Sequence, residues 1–120
     1  MSSRVGRAWE DRARLFFRQR GVTVLKTGYC CRFGELDLVC SDGKTLIVVE
    51  VRFRGRGSLV RAAESVDASK RRKLVRTTRH LLMTHPAWAD YAVRFDVLAI
   101  DIDETDEAHV EWLRGAFDAE

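Results

Sequence analysis

Gly34-Glu35-Leu36-Asp37-Leu38-Val39-Cys40-Ser41-Asp42-Gly43-Lys44-Thr45-Leu46-Ile47-Val48-Val49-Glu50-Val51-Arg52 is the stretch around which the chain is organised. Two apolar runs flank Asp42-Gly43, a dipeptide suited to a tight hairpin turn. A two-residue turn there pairs Ser41 with Lys44, which sets Asp37 opposite Val48 and Glu35 opposite Glu50. Side chains alternate faces along a strand, and directly opposed residues share a face. Glu35, Asp37, Glu50 and Arg52 are then expected on one side of the sheet, with Leu36, Leu38, Ile47, Val49 and Val51 on the other. Opposed like charges are destabilising, and a buried carboxylate cluster needs protons, cationic side chains or a metal to neutralise it. One outcome is a solvated acid beside an acid paired with Arg52. The other is a site for a hard divalent cation, which prefers oxygen ligands.

The remainder of the chain bears on that choice. At 120 residues the length fits one domain, 1–120, with an acidic C-terminal tail from about 115. A chain of this size buries on the order of two-thirds of its unfolded surface, enough to fold without disulfides or metal. No apolar run approaches the ~20 residues of a membrane span, and the N-terminus lacks the apolar core of a signal peptide. Cys30, Cys31 and Cys40 lack zinc-ligand spacing and read as buried or half-buried thiols of a reducing, cytoplasmic protein. His80, His85 and His109 show no ligand spacing either and are expected at surface or cap positions.

Charge is unevenly spread. Of 21 bases and 18 acids, residues 101–120 hold one base and eight acids, leaving 20 bases and 10 acids in residues 1–100. That body, at a net +10 and mostly arginine, suits a polyanionic partner, most simply nucleic acid. A solubilising surface is the plainer alternative.

Residues 4–20 show helical apolar spacing, with Gly21 at the stop position. Glu10 on this helix stands one turn from Arg14, where it can be an exposed i, i+4 partner. Val22 to Leu25 begins a strand that Gly28 is expected to weaken or end. Leu46 to Val51, nearly continuous in apolar residues, belongs in the sheet interior with both faces covered. The basic, glycine-containing exit Arg52 to Ser58 carries Arg54 and Arg56 and lacks the spacing of a phosphate-binding P-loop. It suits either a loop along a phosphodiester backbone or a solvated one.

A second helix is expected from Ser65 or Asp67 to His85, with Pro86 beyond its end. Leu74, Val75, Thr78, Leu81 and Leu82 form its buried stripe, and Lys70, Arg71, Arg72, Lys73, Arg76 and Arg79 its basic flank. Ala92 to Ile100 is a further strand containing Asp96, and His109 to Leu113 its hairpin partner. Helix, three strands, helix, two strands make an α/β domain with a mixed sheet of about five strands flanked by helices.

Gly-Glu-Leu-Asp-Leu-Val (34–39), Val-Val-Glu-Val-Arg (48–52) and Arg-Phe-Asp-Val (94–97) resemble the motifs of the bacterial YraN family. Gly6-Arg7 with Glu10 and Ala13, and Lys70, fit as well, so the resemblance runs from about Gly6 to Phe117. That family is largely uncharacterised; it is assigned to the restriction-endonuclease-like fold and is similar to archaeal Holliday-junction resolvases, whose sites follow the PD-(D/E)xK pattern. The resemblance implies catalytic roles for Glu10, Asp37, Glu50 and Arg52, with Arg52 standing in place of the pattern's lysine. It implies Mg²⁺ (or Mn²⁺) held by Asp37, Glu50 and Glu10, and DNA, branched DNA included, held by Arg54, Arg56, Lys70, Arg72, Lys73 and Arg76. A homodimer follows by analogy with resolvases. The sequence departs from the family at Gly28 and Cys30, where asparagine and arginine are usual, and at Trp9, where a small residue is usual. The function so implied is a nuclease acting on structured or branched DNA. The alternatives are a non-catalytic nucleic-acid-binding protein on the same fold and a protein-interaction role for the acidic tail.

Overall fold

Five strands form one mixed sheet in the order β1-β2-β3-β4-β5, with a helix on each face. The computed structural model describes residues 6–54, 63–102, 105 and 108–119. Helix α1 spans Gly6–Arg18 and α2 spans Ala68–Thr84; strands β1 to β5 span Thr23–Cys31, Gly34–Asp42, Thr45–Arg54, Ala92–Ile102 and Ala108–Phe117. Neighbouring strands are antiparallel except β3 and β4, which run parallel and are bridged through α2. This is the mixed α/β architecture expected of the sequence, consistent with a nuclease-like sheet.

Each helix owns one apolar layer. Ala13 and Phe17 of α1 pack on Leu38, Cys40, Ile47, Val49 and Val51. Leu74, Val75 and Leu81 of α2 pack on Val39, Leu46, Val48, Phe95 and Val97. With both faces covered, the middle of β3 from Leu46 to Val51 is buried, which explains its apolar run with Glu50 as the one charge. Helix α2 begins where Asp67 accepts a hydrogen bond from the Lys70 amide at 2.9 Å, the capping role foreseen for it.

Four details depart from the sequence reading. Strand β1 does not stop at Gly28 but passes through it, because a φ of 64° there and a bulge between Val24 and Lys26 let the chain keep pairing with β2. The hairpin pairs Asp42 with Thr45, so the loop residues are Gly43, at φ 58°, and Lys44. The register is thus two residues away from the expected one, which preserves the faces but changes the partners. Strand β5 extends to Phe117, whose ring stacks on Phe95 at 5.0 Å and so anchors the strand beyond Leu113. Cys30 is exposed rather than buried, while Cys31 is half-buried and Cys40 buried.

Candidate functional site

The β2–β3 ladder ends at the pair Leu38–Val49. Continuing that register by one step sets Asp37 beside Glu50, where the sequence reading had placed Glu35. Alternation also breaks here. Leu36 joins the apolar layer under α2, whereas Leu38 joins the layer under α1, although strict alternation puts both on one face. The start of β2 leans against α2, and a Cβ on Gly34 would sit 3.1 Å from the Thr77 hydroxyl, so only glycine fits without displacement. Asp37 occupies the resulting break. Its Oδ2 accepts a hydrogen bond from the Val51 amide at 2.9 Å, replacing a strand-to-strand bond.

Asp37 and Glu50 are both almost fully buried, at 2% and 1% exposure. Two cations reach Glu50 Oε2: Arg52 Nη2 at 3.2 Å and Lys70 Nζ at 3.5 Å. Alternation along β3 points Arg52 to the same face as Glu50, and the N-terminal turn of α2 brings Lys70 down onto it. Burial pushes the Glu50 carboxyl up from 4.5 to about 7, and the Asp37 charge adds to that. Lys70 and Arg52 pull it down, and a hydrogen bond between the protonated Glu50 and Asp37 raises it again. Burial and a neighbouring acid therefore outweigh two cations. Glu50 holds its proton into the neutral range chiefly because it is buried.

Glu10 lies half-exposed on α1. Among the described residues no group of three His, Cys, Asp or Glu side chains is gathered closely enough to surround a metal. The structure thus brings together Asp37, Glu50, Arg52 and Lys70, and leaves Glu10 apart. Glu35 is half-buried, with Oε2 buried and lacking a hydrogen-bond partner. Arg72, Lys73 and Arg76 are exposed on α2 in continuation of Lys70, while the Arg54 and Trp9 side chains and all of Arg56 lie outside the described residues. Arg71, counted with the basic flank, turns inward: its Nε donates to the Val66 carbonyl at 2.8 Å and its guanidinium covers the Phe117 ring at 5.1 Å.

The histidines split. His85 caps the C-terminus of α2, as expected, but His80 is half-buried and its Nδ1 meets the Tyr29 hydroxyl at 2.5 Å. That contact links β1 to α2, and no local spacing in the sequence reveals it.

The sequence motifs supply the remaining residue set. Asp96 of the Arg-Phe-Asp-Val motif is wholly buried and accepts hydrogen bonds from Arg94 Nε and Nη2, Trp112 Nε1 and the Gly115 amide, at 2.7–2.9 Å. Its role is to hold β4 and β5 together, not to line the Asp37–Glu50 site. Residues 9–100 match the uncharacterised protein family UPF0102.

The chain belongs to this family.

UPF0102 is the family of the YraN-like motifs, and the relatives cover nearly the whole chain. A UPF0102 protein of Pseudomonas fluorescens is 40% identical over 118 residues, 98% of this chain and 96% of its own length. One of Ectopseudomonas mendocina is 42% identical over 115 residues, covering 96% and 95%. Another, of Nitrosomonas europaea, is 40% identical over 109 residues, covering 91% and 89%. Membership gives this UPF0102 chain a family without a described activity, so its chemistry has to be argued from the site. The donor set fits a hard divalent cation: two adjacent buried carboxylates, one of them anchored by a backbone amide, with buried oxygens to which neither of the two cations donates a hydrogen bond. No helix among the described residues is long and apolar enough to cross a membrane.

Proposed function

We propose that this UPF0102 protein is a Mg²⁺- or Mn²⁺-dependent nuclease that cleaves phosphodiester bonds in structured or branched DNA. The observation that carries the reading is the buried Asp37–Glu50 pair with Lys70 and Arg52 on its one cationic side. Asp37 and Glu50 would hold the ion, and Glu10, set apart from them on α1, would act on it only through intervening water. When bound, the ion activates water as a nucleophile and offsets charge on the phosphate.

The chain's own groups do the rest. The Val51 amide fixes Asp37 in one orientation, so the carboxylate enters the site already positioned. Arg52 and Lys70 present two cations toward the position of a scissile phosphate, where they stabilise the charge of the pentavalent arrangement. They differ in what else they do. Arginine stays protonated and serves only as an electrostatic donor, whereas lysine can also give up or accept a proton. Lys70 therefore takes the part that the PD-(D/E)xK pattern gives to the residue at position 52. Arg72, Lys73 and Arg76 carry the phosphate backbone away from the site along α2.

A nuclease-like protein that binds nucleic acid without cutting is the second reading. It is favoured by Arg52 in place of lysine and by the distance of Glu10 from the two central acids. Cleavage of linear duplex, flap and four-way-junction DNA with Mg²⁺ or Mn²⁺ separates the two. The nuclease reading expects cutting that Asp37→Ala abolishes. Salt-dependent binding without cutting selects the second reading, and equal cutting by Asp37→Ala removes the site proposed here.

A further inference from the structure

A second cleft lies at the far end of the basic face of α2, between that helix and the β1–β2 turn. Arg32, Phe33, Arg76, Arg79, His80 and Met83 line it, and its volume of about 310 Å³ is at the small end of ligand-sized pockets. Its apolar surface is unusual for the position. Met83 is 80% exposed, far more than Leu15, Phe53 or Val110, the other exposed large apolar side chains among the described residues. Phe33 offers a ring with the Arg32 guanidinium 4.8 Å from its centroid and the His80 ring edge-on at 6.2 Å. The Tyr29 hydroxyl holds His80 in place, so this wall of the cleft is fixed before any ligand arrives.

Three arginines around one aromatic ring and an exposed thioether make an environment for a flat, apolar-faced group that carries negative charge beside it. A nucleotide is such a group: the base stacks on an aromatic ring while its phosphates meet guanidinium groups. An acidic peptide would use the arginines but not the ring. Helical spacing joins the cleft to the acids. Arg72, Lys73, Arg76 and Arg79 occupy successive turns between Lys70 and Met83, thirteen residues that span about 20 Å of helix.

We propose that this cleft seats an unpaired nucleobase, stacked on Phe33 between Arg32 and Arg79, with the strand continuing along α2 toward Asp37 and Glu50. The inference rests on the reading of α2 as a phosphate track and narrows the substrate to DNA with a single-stranded segment a fixed distance from the bond cut. Duplex DNA cannot fill the cleft without unstacking a base.

Fluorescence anisotropy on the full chain tests it, with two labelled probes at one salt concentration. One is an oligothymidylate of roughly 15 nucleotides, within the range of single-strand footprints, and the other a blunt duplex of the same length. Phe33→Leu keeps an apolar side chain but removes the ring; it is expected to weaken the oligothymidylate by about tenfold or more and leave the duplex unchanged. Phe33→Trp keeps a stacking surface, should bind the oligothymidylate as the wild type does, and should show quenched indole emission on binding. An unchanged affinity of Phe33→Leu for the single strand overturns the inference, as does equal weakening on both probes; in either case the phosphate track stands. Failure of the wild type to bind the oligothymidylate overturns the inference, and failure to bind or cut four-way-junction DNA as well overturns the function it rests on.

Discussion

Glu50 is the residue at which the site's chemistry can be read most directly. Its carboxyl is pushed up from 4.5 to about 7 by burial and by Asp37. Between those values the native state keeps a proton that the unfolded chain has released. The native state then binds more protons, so stability falls as pH rises from 4.5 to 7 and levels off above. The loss amounts to about 3 kcal/mol over that window. Urea midpoints of the metal-free protein across it should show the decline, and Glu50→Gln, which cannot titrate, should flatten it. Equal slopes in the two proteins would mean that Glu50 is not the group responsible. Position 52 permits a complementary measurement. If Lys70 already supplies the titratable cation, Arg52→Lys changes the cleavage rate little; a rise of tenfold or more would show that arginine at this position limits the enzyme, a gain worth about 1.4 kcal/mol in the barrier.

At the scale of the elements, two strands were harder to read than the helices. The apolar spacing of α1 and α2 and the cap at Asp67 were legible because helix signals are local. Strands β1 and β5 were not read to their full length. Gly28 looked like a stop because a glycine weakens a strand, yet its left-handed backbone lets the strand continue; the last turns of β5 depend on Phe117 finding Phe95, a contact across the sheet. The hairpin register shows the same limit. Asp42-Gly43 and Gly43-Lys44 both place glycine in the loop, and the apolar pattern is indifferent to a slip of two residues. Asp37 and Glu50 still fall on one side of the sheet, because a slip of two keeps the strands in phase, whereas Glu35 and Glu10 do not join them. What local alternation could not show was the break between Leu36 and Leu38, close to where Gly34 passes Thr77 of α2. The sequence places Asp96 inside an apolar strand and a family-like motif without showing its partners. It ties β4 to β5 through two hydrogen bonds, from Trp112 Nε1 and the Gly115 amide, and pairs within β4 with Arg94, whose proton affinity it raises further. Removing it strands a guanidinium, an indole N–H and a backbone amide. Asp96→Ala should lower the unfolding free energy by roughly 3 kcal/mol, discounted for the part of Arg94 that solvent reaches. A loss below about 1 kcal/mol in urea unfolding would contradict this role.

On the scale of the whole molecule, the charge asymmetry and the α/β architecture came from composition and element order alone. The position of Lys70 on Glu50 did not, since it requires α2 to cross from β3 to β4 and return its first turn over the strand it left. A cation bound only by the native state stabilises the whole fold by mass action. At neutral pH, Mg²⁺ at a hundredfold excess over its dissociation constant should add ~2.7 kcal/mol and raise the melting temperature by several degrees. Asp37→Ala should abolish that rise. A Mg²⁺ response that survives the substitution would locate the ion elsewhere.

The junction of β4 with β5 has a bearing on how copies of this protein coexist. Phe95 pairs with Phe117 and Val97 with Leu113, so β5 spends two more residues than β4 over the same span, and Arg114 and Gly115 lie in the surplus. β5 is an outer strand, the place where one sheet could grow into the next. The surplus bends that margin, its glycine amide is turned inward to Asp96, and the Arg114 guanidinium folds back over the Trp112 ring at 4.1 Å. The device that fastens the last strand also blunts the edge, the kind of irregularity by which sheets discourage edge-to-edge growth.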